Sequence, residues 1–269
     1  MSTEQNTSAP VTSVTADGVT TITLNRPDAM NSLDIATKEA LLAAVTAAAE
    51  DTAVRCVVLT GSGRAFCVGQ DLKEHVALLN SGSSDELFTT VERHYNPIVS
   101  TLADMAKPVI AAVNGVAAGA GASLAFACDL RILSESAGFN LAFPGVALSC
   151  DTGASWTLPR LVGRAKALEL LYFPSTLTSA QSLELGLATR VVPDADLAAE
   201  VGALATKLAA GPTLSYASIR QSVNFSATHD FAESLAFEGA KMSLTGASGD
   251  HRRAVDAFLA KEKPHFEGR

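Results

Sequence analysis

The apolar positions of this chain change period several times, and those changes divide it into elements. Residues 11–24 (VTSVTADGVTTITL) alternate β-branched and polar positions on either side of Asp17-Gly18, which predicts a hairpin of two short strands. Asn25-Arg26-Pro27-Asp28 closes the second strand as a loop. Asn31-Ser32-Leu33-Asp34 then offers helix caps, and Leu41, Leu42 and Val45 recur at helical spacing, so a helix is expected to about residue 50. The run 54–60 (VRCVVLT) reads as a buried strand, followed by a loop over 61–74 (GSGRAFCVGQDLKE) and a helical region over 85–105.

The stretch 107–129 (KPVIAAVNGVAAGAGASLAFACD) is the one around which the rest is organised. Its β-branched opening predicts a strand, Asn114-Gly115 a turn, and Gly119-Ala120-Gly121-Ala122-Ser123 the entry to a helix. Small residues let a ligand approach the backbone, and the first N–H groups of a helix have no partner within it. Such donors suit a phosphate, a carboxylate or a developing oxyanion. Close packing of a helix on a sheet would use the same residues, and the stretch alone leaves both readings open.

Beyond it come a strand at 130–133, an apolar run at 137–147, and the segment Ser149-Cys150-Asp151-Thr152-Gly153-Ala154-Ser155-Trp156. Helices are expected at 163–172 and 179–185, the second ended by Gly186, with a strand at 189–192. From there the pattern is helical throughout, over 197–209, 212–224, 230–242 and 249–260. The alternation of strand and helix implies an α/β fold with a mostly parallel sheet and an all-helical end, with no sequence repeat. We divide the chain into a polar tail (1–10), a core that binds ligand and carries the chemistry (11–195), and a helical oligomerisation region (196–269).

Composition narrows the function. The chain has 269 residues, 48% of them hydrophobic and 18% charged, which is a globular composition. A formal charge of −8 with no basic cluster argues against nucleic acid. No apolar run is long enough to cross a membrane, and the N-terminal residues lack a secretory pattern, so a cytoplasmic location is expected. Cys56, Cys67, Cys128 and Cys150 show no paired or metal-like spacing and are expected to be reduced thiols. His75, His94, His229, His251 and His265 are scattered, and no metal site is expected.

Several motifs, taken in order, resemble one family. They are Asn25-Arg26-Pro27 with Asn31, Gly63 to Leu72 (GRAFCVGQDL), the 107–132 stretch, Asp151-Thr152-Gly153-Ala154, Leu158-Pro159-Arg160 and Gly163-Arg164. Their order and spacing are similar to those of the crotonase (enoyl-CoA hydratase/isomerase) superfamily, over about residues 12–265. The resemblance implies a spiral of ββα units, with C-terminal helices that pack a homotrimer, and trimers that pair into hexamers. It implies an acyl-CoA thioester as substrate, with no separate cofactor. It places two backbone donors for an enolate oxygen on Gln70 and Ala120, flanked by Asp71, Leu72 and Gly119. The Arg26 and 64–68 loops, with Ala65, Cys67 and Val68, resemble the surface that cradles CoA, and Lys261 resembles a tail residue that reaches a neighbouring subunit's CoA phosphates. A solvated basic helix end is the alternative for Lys261, and a plain helix start with Asp71 in its first turn is the alternative for Gly69-Gln70-Asp71.

The acids decide which reaction is expected. In the family, hydration is run by two glutamates, and this sequence has Ser123 and Phe143 in their places. The remaining acid, Asp151, resembles the single carboxylate of the double-bond isomerases, including the 1,2-epoxyphenylacetyl-CoA isomerases, although Cys150 stands for their Pro and Ala154 for their Gly. One carboxylate facing the acyl chain can take a proton from one carbon and return it to another. Phe139, Phe143 and Trp156 are expected to make its surroundings apolar and so to raise its pKa, with Trp156 in the core or the pocket wall and Arg160 and Arg164 outside. A cap on a helix beginning at Thr152 is the structural alternative for Asp151. Three other functions are compatible: a hydratase with a rearranged site, a non-catalytic acyl-CoA-binding protein, and a hydrolase with Ser123 as nucleophile in the turn Gly121-Ala122-Ser123.

Overall fold

The computed structural model describes residues 9–81 and 88–269. The chain opens with an antiparallel hairpin of β1 (Val11–Ala16) and β2 (Val19–Leu24), turned at Asp17 and Gly18, both at positive φ (48° and 76°). That backbone twist matches the strands, and an Asp-Gly pair adopts it at low cost. Helix α1 (Ile35–Glu50) follows, capped by the Asp34 carboxylate, which accepts from the Thr37 N–H.

Three ββα passes then build the core. The first is β3 (Cys56–Gly61), β4 (Ala65–Cys67) and α2 (Leu72–Asn80). After α3 (Asn96–Asp104), the second is β5 (Val109–Val113), β6 (Val116–Ala118) and α4 (Ala120–Ala127). The third is β7 (Leu130–Ser134), β8 (Gly138–Asn140) and α5 (Ala154–Val162). Next come α6 (Arg164–Tyr172), β9 (Leu177–Thr178), α7 (Ser179–Glu184) and β10 (Arg190–Val192). The first strand of each pass enters a six-stranded sheet, β1-β2-β3-β5-β7-β10, and the second enters a four-stranded sheet, β4-β6-β8-β9. Among the described residues, every strand pairing is parallel except β1 with β2 and β8 with β9. The chain thus repeats a backbone path with no repeat of sequence, because the path needs only burial pattern and turns.

Period-two burial explains the layering. Cys56 and Val58 of β3, Ile110 and Ala112 of β5, and Ile132 of β7 face α8 (Leu197–Ala209), packing on Leu197, Val201, Ala205 and Ala209. Val57, Leu59, Val109, Ala111 and Val113 alternate to the other face and join Leu41, Val45, Ile98 and Leu102 of the helices in the main core. With both faces covered, the strands read as continuous apolar runs. The chain ends in α9 (Thr213–Ser226), α10 (Phe231–Gly246) and α11 (Gly249–Ala260), on which Phe231, Met242, Phe258 and Leu259 stand 73–80% exposed. Among the described residues, no helix is long and apolar enough to cross a membrane.

Several expectations need correction. The expected loop at 61–74 contains a strand and the start of a helix, because Phe66 and Cys67 are wholly buried and Asp71 caps α2. The start of the helix expected at 85–105, residues 85–87, lies outside the described residues, as do the first eight residues of the polar tail. The remainder is helical to residue 104 as expected, interrupted by a π-helical turn, Val91–Tyr95, that leads into α3. Trp156 is not core and does not line the cavity described below: it is 46% exposed, with the Arg160 guanidinium stacked 3.2 Å from its ring centre. As expected, all four cysteines are free thiols, three of them buried.

Candidate active site

Two turns from successive ββα passes meet in the fold. In the first, Leu33 bridges Gln70 in parallel fashion: the Leu33 N–H donates to the Gly69 carbonyl (2.8 Å) and the Asp71 N–H donates to the Leu33 carbonyl (3.1 Å). That pattern uses the groups flanking Gln70 and turns its own N–H away from Leu33. In the second turn, Gly119 at φ 51° and ψ −123° precedes α4, and no side chain caps the helix start. The Gly119 N–H is taken by the Asn140 carbonyl (2.9 Å), while the N–H of Ala120 begins α4 with no partner in the helix.

Gly69, at φ 83°, sits where the turns touch. A Cβ there would lie 3.0 Å from the Ala118 carbonyl oxygen and 3.3 Å from the Ala120 nitrogen. A Cβ on Gly121 would overlap the Cys67 carbonyl. The glycines therefore let the two backbones approach as closely as they do.

These turns form one wall of a cavity of about 980 Å³. Gly69, Gln70, Gly119 and Ala120 line it, together with Leu72, Val76 and Leu79 of α2, Phe143, Val146 and Leu148 of the following turn, and Asp151. The lining includes three carboxylates among the described residues, Asp28, Asp71 and Asp151. Asp28 is exposed. Burial acts to raise the Asp71 carboxyl, but hydrogen bonds from Ser32, Arg26 and the first N–H groups of α2 outweigh it and hold the group below the usual range. Asp151 is the opposite case: burial pushes its carboxyl above the usual range, and the Thr152 hydroxyl, donating to Oδ1 at 2.9 Å, only partly offsets that. A carboxylate raised in this way is a stronger base than an exposed aspartate.

The local backbone aims Asp151. Thr152 and Gly153 are both left-handed, at φ 52° and 78°, and α5 begins only at Ala154. A β-branched residue in that region is strained. The Asp151 side chain makes no cap bond to the helix, so the capping alternative does not hold.

The other expected residues divide into two groups. Arg26, Val68, Asp71 and Leu72 line the cavity with the two turns. The Arg26 guanidinium is held by Ser32, Asp71 and Asp34, the two carboxylates each at 3.0 Å. Ala65 and Cys67 are buried in β4 and do not line the cavity. The Ala65 carbonyl accepts from Asn31 and Asn114, and the Cys67 sulfur accepts from the Gly69 N–H. Lys261 ends α11 in the left-handed conformation, exposed and outside the cavity lining. Ser123 is fully buried, its hydroxyl donating to the Gly119 carbonyl at 3.2 Å, which leaves it no access to a substrate.

The sequence reading missed Lys38, Tyr95 and Glu74, which surround the Gln70 side chain. A signal was present. Lys38 precedes Leu41, Leu42 and Val45 by three, four and seven positions, so it lies on the apolar stripe of α1.

Known proteins resemble this chain along nearly its whole length. Residues 14–269 match the family described as Enoyl-CoA hydratase/isomerase. The chain is similar to 1,2-epoxyphenylacetyl-CoA isomerase of Escherichia coli (strain K12), 42% identical over 94% of this chain and 96% of that one. It is also similar to a Rhodobacter capsulatus protein named a probable enoyl-CoA hydratase, 39% identical over 94% of this chain and 96% of that one. Among solved structures, an enoyl-CoA hydratase from Bacillus anthracis superposes with a TM-score of 0.90 at 30% identity, covering 97% of this chain and all of the other.

Proposed function

Because this chain belongs to the enoyl-CoA hydratase/isomerase family, we propose that it moves a C=C bond within an acyl-CoA thioester, with Asp151 as the acid/base. The observation that carries this reading is the cavity wall, where a carboxyl raised by burial shares one lining with two backbone turns built to present N–H groups.

Asp151, as carboxylate, takes a proton from C2 of a 3-enoyl-CoA. The electron pair moves into the thioester, and the developing enolate oxygen is held by the N–H groups of Gln70 and Ala120. A proton α to a thioester is too weakly acidic to leave at neutral pH without such help, and each positioned donor contributes about 3 kcal/mol. The protonated Asp151 then returns the proton to C4, leaving a 2-enoyl-CoA and the original carboxylate. Coenzyme A takes part as half of the substrate, and the chemistry calls on no resident cofactor. Leu72, Val76, Leu79, Val146 and Leu148 supply an apolar wall for the acyl group, aliphatic or derived from an aromatic ring as the Escherichia coli relative's name describes. The exposed Phe231, Phe258 and Leu259 of the C-terminal helices suit packing against further copies of the chain, as in a trimer or hexamer.

Hydration is the second reading, favoured by the name of the Rhodobacter capsulatus relative. Against it stand Ser123, buried and engaged, and Phe143, at the positions where the family's hydratases carry glutamates.

The test is a mass-spectrometric assay in deuterated water with trans-3-hexenoyl-CoA and trans-2-hexenoyl-CoA supplied separately. Double-bond migration without addition of water, lost in Asp151→Asn, is the expected result. Prompt formation of 3-hydroxyhexanoyl-CoA would overturn it in favour of hydration.

A further inference from the structure

Behind the Gln70 turn lies a buried polar cluster that the proton transfer just described does not use. Lys38 of α1 is 1% exposed and Tyr95 of the π turn 2%. The Lys38 ammonium donates to Gln70 Oε1 (3.2 Å) and to Thr90 Oγ1 (2.7 Å), and lies 3.7 Å from Glu74 Oε1. The Tyr95 hydroxyl donates to the same Gln70 Oε1, at 2.7 Å. Gln70 Nε2 donates to Glu74 Oε1 (3.4 Å), whose other oxygen accepts the Ile35 N–H (2.9 Å). Thr90 is tied in turn to His94 Nδ1 (3.0 Å).

Burying a lysine is costly, and a leucine at position 38 would continue the apolar stripe of α1 without that cost. The bonds converge on one side-chain amide. Both lone pairs of its oxygen are filled and its nitrogen is engaged, from three separate segments: α1, the π turn and α2. The π turn matters here, because its extra residue per turn brings both His94 and Tyr95 inside. The amide so gripped belongs to the residue whose backbone N–H faces away from Leu33 at the cavity wall. A donor stabilises developing charge only as far as its direction is set beforehand.

We infer that Lys38 and Tyr95 are positioning residues which, by clamping the Gln70 side-chain amide, set the direction of the Gln70 backbone N–H and so the polarisation of a thioester carbonyl in the cavity. This rests on the reading of Gln70 and Ala120 as oxyanion donors. Burial pushes the Tyr95 hydroxyl well above its ordinary range, so it stays a donor across the working pH range. Burial lowers the Lys38 ammonium, with Glu74 and Asp34 acting to retain its charge.

The test is isotope-edited infrared difference spectroscopy of hexanoyl-CoA labelled with ¹³C at the thioester carbonyl and bound to the whole protein. A saturated acyl chain permits neither double-bond migration nor hydration, so the readout is independent of which reaction the enzyme runs. In the unmodified protein the bound carbonyl stretch is expected to move to lower frequency. Lys38→Met and Tyr95→Phe should each lose part of that shift while binding hexanoyl-CoA within about twofold of the unmodified protein. With turnover substrate, kcat should fall about tenfold with KM little changed, the pattern of a lost transition-state interaction. The double variant should lose less than the product of the two single effects. Variants that bind hexanoyl-CoA and keep the full shift would overturn the positioning role and leave the oxyanion reading standing. Absence of a shift in the unmodified protein would overturn the oxyanion reading and this inference with it. Should Lys38→Met fail to fold, Tyr95→Phe, which removes a single oxygen, decides the question alone.

Discussion

Gly69 and Ala120 are fifty-one positions apart in sequence, yet a Cβ on Gly69 would stand 3.3 Å from the Ala120 nitrogen. The two backbones meet with no space for a side chain, and the N–H groups proposed to hold an enolate oxygen lie on either side of that contact.

Gly69→Ala is therefore expected to damage activity more than folding. The new methyl meets the Ala118 carbonyl at 3.0 Å and requires a left-handed alanine. We expect a stability loss of about 1 kcal/mol or more, and a fall in kcat of about 10²–10³ as one donor is displaced. Steady-state kinetics beside a thermal melt separates the two effects.

Asp151→Asn should lower kcat by about 10²–10⁴ and yet raise the melting temperature at neutral pH. Burial raises this carboxyl in the folded state, so the folded protein holds its proton more tightly than the unfolded chain does. The contribution to stability is complete below the ordinary aspartate pKa and is lost as pH rises through the higher folded value. At neutral pH the ionised, half-buried carboxylate is a net cost, and the amide removes it. A melting temperature that falls with the substitution at pH 7 would contradict the raised pKa.

Thr152→Ala should shift the acid limb of the kcat/KM profile to higher pH. The Thr152 hydroxyl donates to Asp151 Oδ1 and favours the charged form, which is the form that accepts the substrate proton. Without that donor the carboxyl protonates at higher pH, and the rate begins to fall sooner on acidification. A pH–rate series on both proteins measures the displacement.

Ser123→Ala should keep activity within about twofold, and a fluorophosphonate probe should leave the unmodified protein unlabelled. The hydroxyl is wholly buried and committed to the Gly119 carbonyl. Its loss costs at most about 1 kcal/mol, in part offset by the helix preference of alanine. Labelling of Ser123 would reinstate the hydrolase.

Lys38 and Trp156 mark where reading the sequence went astray. Each was a departure from a local rule: a cation on an apolar stripe, and a large aromatic left 46% exposed under the Arg160 guanidinium. Periodicity records which face of an element is buried on average. It does not record what a single side chain meets there, so Gln70 as the partner of Lys38 was invisible until α1 and the Gln70 turn were placed side by side. Asp151 was legible as a candidate acid from its motif, and apolar neighbours were expected to raise its pKa; that burial does so without Trp156 in the cavity lining was a matter of tertiary packing.

The hairpin at Asp17-Gly18, the doubly covered strands, the helical end and the resemblance to the enoyl-CoA hydratase/isomerase family could all be read from the order of residues. These follow from alternation, turn chemistry and motif order, which are properties of neighbours along the chain. That Gln70, Ala120 and Asp151 share one cavity lining, while Ala65, Cys67 and Lys261 stand off it, emerges from the packing of the folded chain. Parallel strands join residues tens of positions apart through crossovers, so the convergence of those three is set by sheet order and register rather than by any local preference.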